Sequence, residues 1–517
     1  MNVPDSVDRL HEKREAARRM GPPERIEAQL ARGKMTVRER VDRLFDPGSF
    51  EEFALLARSE EPDLVASGKE TPADGVVTGA GKIDGREVFV AAYDFTVLAG
   101  SMGLVGERKV TRVRQMARTH LRPMVWLIDS AGARIQEIAS TRAFAGTGNL
   151  FYEQVQMSGL VPQVAAVMGP GAAGTAYIPG LADFVIMVKG TSSMALGGPP
   201  LVKQIVGEDV TEQELGGSAV HTRESGVADL EIEDDAACLA SIRRYLSFFP
   251  SHSGEKPPAL GATDPADRAD EELRSALPAN PRMAYDVKRI LVRLVDGGDL
   301  FEVKPAFARN VVTALARFGG RPAGIVANQP QVLAGALDND GSDKAARFIQ
   351  LCDAFNVPLV FFQDIPGFMV GTKVEKEGII RHGAKLLFAV SEATVPKITV
   401  VLRKAYGAGY YVMCGRSFGP DLLVAWPTAE ISLMGAGGAV EIIHRKRIEA
   451  ASDPKAEKER LVREFQEKIG PYEAAESGLV DDVIDPRETR RVICRALERT
   501  AAKSISRPAK KHGVTPV

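Results

Sequence analysis

The chain has 517 residues, of which 44% are hydrophobic and 26% charged, and its formal net charge is −2. This balance is ordinary for a globular protein and gives bulk electrostatics no preference for nucleic acid or for a membrane surface. We therefore predict no nucleic-acid partner, and the length predicts two large domains or more.

The sequence carries no sign of export or of a zinc site. The opening stretch MNVPDSVDRLHEKREAARRM mixes acids and bases, and no apolar run approaches the roughly 18 residues needed to span a bilayer. The four cysteines stand far apart without a CxxC pair. We expect a cytoplasmic protein without membrane insertion and without a metal in this chain.

Residues 1–45 are predicted to be helical and charged, and Thr36 with Glu39 matches a capping box at a helix start. Farther on, Asp84-Gly85 joins two apolar runs and predicts a β-hairpin. The stretch ERKVTRVRQMARTHL then predicts a helix, and PMVWLID predicts a buried strand. Strands and helices therefore alternate, as in an α/β fold.

The stretch VPQVAAVMGPGAAGTAYI (161–178) predicts a buried strand, a turn of small residues and a helix. We call Gly169–Gly174 the first turn. Side chains this small let a ligand approach the backbone, and the unpaired N–H groups of a helix start can hold an anion or a developing oxyanion. The same construction returns in VPKITVVLRKAYGAGYYVM, where we call AYGAGY (405–410) the second turn.

The two halves of the chain repeat one another. Gly85-Arg86 matches Gly320-Arg321, an offset of 235 residues, and VLAG at 97–100 matches VLAG at 332–335. Five further identities hold the same offset. They pair Lys109, Arg112, Gln115, Pro123 and Asp129 with Lys344, Arg347, Gln350, Pro358 and Asp364. We infer two homologous α/β domains, 1–250 and 283–517, joined by a Pro- and Asp-rich linker over 251–282.

Two short patterns match a dinucleotide-binding motif and a serine-hydrolase motif but lack the sequence context that these motifs require. GPGAAG matches GxGxxG but lacks an acidic residue about 20 positions on, and the GxSxG at 415–419 does not directly follow a strand. Asp129 and Asp364 end equivalent strands, where we favour capping or loop bracing over general-base work. Two backbone oxyanion turns without a nucleophile favour enolate formation from a thioester, with a base that a cofactor can supply.

Longer motifs make a family resemblance specific. They are GKMTVRERVDRLFDPGSF, DSAGARIQE, GEDVTEQELGG, RPAGIVANQPQVLAG, DIPGFMVGT, IIRHGAKLLFAVSEATVPKITVVLRKAYGAGY and WPTAEISLMGAGGAV. On these motifs the chain resembles the carboxyltransferase (β) subunits of biotin-dependent acyl-CoA carboxylases, the propionyl-CoA and methylcrotonyl-CoA carboxylase group. The resemblance covers nearly the whole chain.

This resemblance implies two tandem crotonase-like domains and a homo-hexamer whose active sites are shared between protomers. Acyl-CoA would lie against the first domain, and carboxybiotin, carried on a separate chain with a biotin carboxylase, against the second. The carboxyl group would pass from carboxybiotin to the alpha or the vinylogous carbon of a short- or medium-chain acyl-CoA, through an enolate held by two backbone oxyanion holes. By position, the oxyanion-hole residues would be Ala173, Gly174, Ala408 and Gly409. The residues lining the substrates would be Ala131, Gly132, Ala133 and Tyr411 for acyl-CoA and Gly367 and Phe368 for biotin.

The chain departs from the family pattern in three places. The family usually has Gly-Gly-Ala-Arg at Ala131–Arg134 and Ala-Gly-Gly at Ala172–Gly174. A backbone N–H survives a Gly→Ala change, so both oxyanion holes stay possible provided that φ stays negative there. Tyr411 stands where propionyl-type relatives often carry an aspartate that helps to select the acyl group, so the acyl group stays open.

Other functions remain in competition. The nearest alternative is the alpha subunit of a biotin-dependent methylmalonyl-CoA decarboxylase or a transcarboxylase, which gene neighbours would separate from a carboxylase. A crotonase-type hydratase would need a glutamate base at the turns, and neither turn carries one. A scaffold that holds a carrier protein is the non-enzymatic alternative.

Overall fold

The computed structural model describes residues 3–262, 264–506 and 508–516. The chain divides into two compact units, Met1–Glu255 and Lys256–Val517. Residues 256–262 and 264–282, which composition predicts to be part of a linker, are packed onto the second unit. There, Leu273 is buried in the core and the Leu260 N–H donates to the Gly320 carbonyl. The C-terminal stretch RPAKKHGVTPV, which is rich in basic residues, begins at 507 and ends at 517, and these two residues lie outside the described ones.

The first unit places helices around one mixed sheet. Its strands are β1 Glu51–Phe53, β2 Val76–Ile83, β3 Arg86–Tyr93, β4 Met124–Ser130, β5 Gln163–Ala172, β6 Phe184–Val188, β7 Ser193–Ala195 and β8 Leu230–Ile232. Its helices are α1 Val3–Arg18, α2 Pro23–Leu30, α3 Val37–Leu44, α4 Pro62–Ala66, α5 Leu104–His120, α6 Ile135–Ile138, α7 Thr141–Phe144, α8 Asn149–Met157, α9 Gly174–Leu181, α10 Pro199–Val206, α11 Glu212–Gly216, α12 Ser218–Arg223 and α13 Asp235–Leu246.

The second unit is built in the same way. Its strands are β9 Phe301–Val303, β10 Val311–Phe318, β11 Arg321–Asn328, β12 Leu359–Ile365, β13 Lys397–Tyr406, β14 Leu422–Ala425, β15 Glu430–Ser432 and β16 Asp482–Val483. Its helices are α14 Lys288–Leu294, α15 Asn339–Ala354, α16 Thr372–Lys376, α17 Ile379–Glu392, α18 Gly407–Val412, α19 Ala436–Ile443, α20 Arg445–Glu449, α21 Pro454–Lys468, α22 Pro471–Glu476 and α23 Thr489–Arg499.

The two sheets have the same topology, as the repeat predicts. The first has the order β1-β2-β3-β4-β5-β6-β8 with β7 on β5, and the second β9-β10-β11-β12-β13-β14-β16 with β15 on β13. Each begins with antiparallel strands and continues with parallel ones, β3 to β6 and β11 to β14. The predicted α/β fold of two homologous domains is confirmed.

The hairpin predicted at Asp84-Gly85 is confirmed, and the second unit has a matching hairpin at Gly319-Gly320. Asp84 and Gly85 have φ of 50° and 78°, and Gly319 and Gly320 have φ of 57° and 79°. Positive φ at both central residues is what a two-residue turn between right-twisted strands requires. The hairpins place β3 and β11 beside the parallel strands whose carboxyl ends carry the candidate site.

The central strands are buried on both faces, which explains their continuous apolar sequences. In the first unit Phe89, Trp126 and Val167 are fully or almost fully buried in one core. The second core is built around Phe318, Phe362 and Trp426. The capping box at Thr36 forms as predicted, with Glu39 and Thr36 each accepting from the other's backbone N–H. A packed sheet of this kind holds the loops at its carboxyl edge in place.

Candidate active site

The residues named above as the first and second turns are divided between the end of a long strand and the start of a helix. β5 ends at Ala172 and α9 begins at Gly174, while β13 ends at Tyr406 and α18 begins at Gly407. Ala173 has φ of 52° and Gly407 has φ of 55°. The structure therefore matches Ala173 with Gly407 and Gly174 with Ala408. Matching Ala173-Gly174 with Ala408-Gly409, the four predicted oxyanion-hole residues, would be out of register by one residue.

The backbone of Ala173 is already occupied. Its N–H donates to the Ala195 carbonyl at 3.0 Å, and its carbonyl accepts from the Ala176 N–H at 3.0 Å. The prediction that both Ala173 and Gly174 present an N–H is therefore corrected for Ala173. Gly174 is the first residue of α9, a position at which the N–H has no acceptor within the helix.

The condition of negative φ also fails at Ala173. Its φ of 52° and ψ of −119° lie in a region that glycine adopts freely and alanine does not. At Ala408, the matched position of Gly174, the residue lies inside the first turn of α18. The matched N–H groups therefore belong to Gly174, which follows an alanine, and to Ala408, which follows a glycine.

A glycine loop lies against the first turn. The Met102 N–H donates to the Gly132 carbonyl at 2.8 Å, and the Arg134 N–H donates to the Met102 carbonyl at 2.9 Å. Gly132 has φ of 92°, and a Cβ there would lie 2.7 Å from the Ala172 carbonyl oxygen. Ala131 and Ala133 on either side are exposed. The structure thus brings the predicted CoA-side residues 131–133, hereafter the Gly132 loop, to the first turn.

The second unit repeats this loop at the second turn. The Leu337 N–H donates to the Gly367 carbonyl at 3.1 Å, and the Met369 N–H donates to the Leu337 carbonyl at 2.8 Å. A Cβ on Gly409 would lie 3.2 Å from the Gly367 Cα. Gly409 is buried and permits this close approach, while Phe368 beside it is half-buried. The predicted biotin-side residues and the second turn are therefore neighbours.

Tyr411 lies at the surface next to the second turn. Its side chain is 46% exposed and its ring lies 5.7 Å from that of Tyr410 and 6.1 Å from that of Phe418. The matched position in the first unit, three residues after Gly174, is Tyr177, which is 49% exposed. Sequence reasoning missed Tyr177, although aligning the two turns would have found it.

A buried ion cluster supports the first turn. Asp129 accepts from the Lys34 ammonium at 2.9 Å and from Arg40 at 2.8 Å, and Arg40 also pairs with Asp235 at 2.8 Å. A Cβ on Gly169, in β5, would lie 1.8 Å from the Asp129 carboxylate. Burial lowers the pKa of Lys34, while the Asp129 carboxylate opposes that shift. Asp129 therefore braces the turn and is enclosed by its partners.

Asp364 supports the second turn in the same way. Its carboxylate accepts from Arg403 at 2.9 Å and from the Lys404 N–H at 3.2 Å. Burial raises the pKa of Asp364, and Arg403 acts in the opposite direction. The Tyr406 hydroxyl, just before Gly407, donates to the Glu430 carboxylate. Of these residues the sequence singled out Asp364 alone, because its partners lie far along the chain.

A second buried network anchors the Gly132 loop. Arg134 pairs with Asp74 at 2.6 Å and with Glu137 at 2.7 Å. Glu137 also accepts from the Leu104 N–H at 2.7 Å, at the start of α5. Burial raises the pKa of Asp74, an effect that Arg134 reduces. The loop is thereby anchored by charge-assisted hydrogen bonds.

A cavity of about 1090 Å³ lies next to this loop in the first unit. The connection between α1 and α2, helix α2 and residues 95–99 line it, and the Ala99 carbonyl on its wall accepts from the Ala131 N–H at 2.9 Å. Its charged lining residues are Arg19, Arg25, Arg32, Lys34 and Lys69 together with Glu24, Glu27 and Glu70. The amide oxygen of Gln29, also on the lining, is buried without a hydrogen-bond partner.

Comparison with known proteins identifies the family. Residues 28–515 match the carboxyl transferase domain. The chain belongs to the carboxyl transferase family. It is 46% identical over 515 residues to the methylmalonyl-CoA decarboxylase subunit alpha of Veillonella parvula, covering 100% of this chain and 99% of that one. It is also 46% identical over 518 residues to the propionyl-CoA carboxylase carboxyltransferase subunit of Haloferax mediterranei, covering 100% of each.

Among solved structures, transcarboxylase 12S superposes with a TM-score of 0.96 at 46% identity, covering 100% of this chain and 99% of that chain. That structure is a hexamer described with methylmalonyl-CoA and methylmalonic acid bound. The predicted resemblance to carboxyltransferase subunits of biotin-dependent acyl-CoA carboxylases is confirmed, as are two crotonase-like domains. The chain is thus a carboxyltransferase whose relatives are named for propionyl-CoA and methylmalonyl-CoA.

Within residues 3–262, 264–506 and 508–516, no helix combines the length and apolarity needed to cross a membrane. Over the same residues, no three His, Cys, Asp or Glu side chains come together in a way that could hold a metal ion.

Proposed function

We propose that this carboxyltransferase moves a carboxyl group between biotin, carried on a separate chain, and the α-carbon of a short acyl-CoA. One observation carries the proposal: the same strand–turn–helix construction occurs twice, with Gly174 and Ala408 at matched helix starts. Each turn lies beside a glycine loop, with Gly132 in one unit and Gly367 in the other. Two matched oxyanion sites suit a reaction in which two carbonyl oxygens gain negative charge.

Each of the two backbone N–H donors would bind a different substrate oxygen. The Gly174 N–H, at the start of α9, would hold the thioester oxygen as the α-proton leaves and the enolate forms. The Ala408 N–H, at the start of α18, would hold the ureido oxygen of biotin. Biotin supplies the carboxyl group and, once that group has left, a ureido nitrogen that can take the α-proton. Both donors are fixed by packed strands, so little reorganisation accompanies the charge shift.

Acyl-CoA fits the first unit. Apart from Lys34, which is bonded to Asp129, the cavity beside the Gly132 loop carries four basic and three acidic side chains, a small excess that favours the anionic phosphates of CoA. Ala99 on its lining accepts from the Ala131 N–H, so the cavity lies close to the Gly132 loop and the first turn. Biotin fits the second unit, where Gly367 has φ of 130° and Phe368 offers a half-buried ring.

Assembly into a homo-hexamer with shared sites is supported by apolar side chains exposed at matched positions of the two units. They are Ile135, Leu196 and Ile205 in the first unit and Val370, Leu433 and Ile442 in the second, each 62–86% exposed. Repeated apolar faces next to both turns favour burial against another copy of the chain. We expect the biotin carrier and biotin carboxylase to be separate chains, and the complex to work in the cytoplasm.

The direction of transfer has two candidates. Identity to the decarboxylase subunit and to the carboxylase subunit is the same, 46%. The half-reaction on this chain is common to both directions, so the partner chains decide between them. CO2 release from malonyl-, methylmalonyl- and methylcrotonyl-type carboxylated CoA esters, measured with free biotin, would name the preferred acyl group. Inactivity toward all three would contradict the proposed function.

Tyr411→Asp is expected to change the ratio of kcat/KM among these esters by about tenfold, more than it lowers the total rate. A carboxylate at this exposed position changes both the volume and the polarity of the side chain beside the second turn. Tyr472→Asp is the matched control, because Tyr472 is 60% exposed on α22, and its ratio should stay at that of the parent chain. An equal loss on every ester in Tyr411→Asp would make Tyr411 structural.

A further inference from the structure

Ala173 holds a backbone conformation that its side chain disfavours. Its φ of 52° and ψ of −119° belong to glycine, and the matched residue in the second unit, at φ of 55°, is Gly407. Strained non-glycine residues persist where the surrounding structure imposes the conformation, and they cluster at functional sites. The two units repeat the same construction, and at this matched position they differ by the methyl group of Ala173.

The surroundings impose this conformation. The N–H of Ala173 is bonded to the Ala195 carbonyl of β7, and its carbonyl accepts from the Ala176 N–H of α9, both at 3.0 Å. Neither peptide group can rotate without losing a bond that β7 or α9 holds. The direction of the Cα–Cβ bond is therefore fixed by the backbone.

The methyl group lies on the open side of the turn. Ala173 is exposed, and its Cβ lies 3.6 Å from the place that a Cβ on Gly132 would take. At the next residue, Gly174, an added Cβ would have only ordinary contacts, 3.5 Å from Met102 and 3.9 Å from Phe151. The Ala173 methyl thus lies close to the Gly132 loop, one residue before the Gly174 N–H.

We propose that Ala173 is a specificity-determining residue that restricts the first site to short acyl chains. This inference rests on the proposed function, because it takes the Gly174 N–H as the holder of the thioester oxygen. One methyl group in an apolar pocket changes the relative rate of two substrates by about 10- to 200-fold when they differ by the volume it fills. Acyl-CoA esters whose α-substituent is longer than methyl are the class excluded.

The test compares Ala173→Gly with the parent chain. Biotin-dependent CO2 release would be measured with methylmalonyl-, ethylmalonyl- and butylmalonyl-CoA, and kcat/KM determined for each. The ratio of butylmalonyl- to methylmalonyl-CoA should rise at least about tenfold in Ala173→Gly. The melting temperature should rise as well, because glycine adopts this conformation without strain.

Each outcome has a distinct meaning. A higher melting temperature with an unchanged ratio would overturn the inference and leave the proposed function standing. Inactivity of both proteins with every ester would overturn the proposed function, and the inference with it. Gly407→Ala is the matched control, since it adds the same methyl to the biotin-side turn. It should lower the rate with all three esters alike, and a shift in their ratio as large as that of Ala173→Gly would also overturn the inference.

Discussion

Arg40→Met is expected to lower the free energy of unfolding by about 3–5 kcal/mol, because it removes the shared partner of two buried carboxylates. Asp129 and Asp235 are both almost fully buried, and the Arg40 side chain is 1% exposed between them. Without the Arg40 guanidinium, Asp129 would still accept a hydrogen bond from Lys34, and Asp235 would still accept one from the Met35 N–H. Calorimetry should show a melting temperature lower by about 10 °C for a unit of this size.

Arg43→Met is the matched control for this change, because Arg43 is exposed on the same helix, α3. Its effect should stay within about 0.5 kcal/mol, the usual range for a surface substitution. If both variants melted at the same temperature as the parent chain, the buried cluster would contribute nothing to stability, and its role behind the first turn would have to be abandoned.

Gly169→Ala is expected to lower kcat/KM for carboxyl transfer by about 100-fold. The added Cβ would lie 1.8 Å from an Asp129 oxygen and 2.7 Å from the Lys34 ammonium. Asp129 is itself held by Arg40, so β5 must move instead, and with it the turn that carries Gly174. A shift of about 1 Å in a group that stabilises charge is sufficient for a loss of this size.

Gly180→Ala tests whether the loss comes from this clash. Gly180 is exposed near the end of α9, and an added Cβ there would have nothing within 4 Å. Alanine is also the better helix former, so Gly180→Ala should retain the parent activity and gain stability. Steady-state kinetics on both variants would separate the two results, and comparable activity of Gly169→Ala and the parent chain would show that the turn tolerates displacement.

The repeat was predictable because identical residues hold one register over a hairpin, a helix and a strand. The hairpin residues Asp84-Gly85 and Gly319-Gly320 carry the positive φ that their types favour, so local chemistry and topology agree there. The VP pairs at 161 and 395 stand 234 residues apart, one short of the offset of the preceding residues. Applied to the turns, that shift gives the correct match of Ala173 with Gly407.

The supporting residues were not predictable in the same way. Lys34 and Arg40 lie 95 and 89 residues from Asp129 in sequence, and no period connects them. The conformation of Ala173 was missed because alanine gives no local signal for positive φ; β7 and α9 impose it. Sequence therefore located the turns, and tertiary contacts decided which of their N–H groups is available.

The most direct measurement of the central claim is CO2 release from methylmalonyl-CoA by the purified chain, with and without free biotin. Transfer through paired oxyanion sites predicts release that depends on biotin and saturates with both ligands, and Gly169→Ala should reduce it while Gly180→Ala should not. A folded chain that releases CO2 at the same rate without biotin, or from no carboxylated CoA ester with it, would contradict the account.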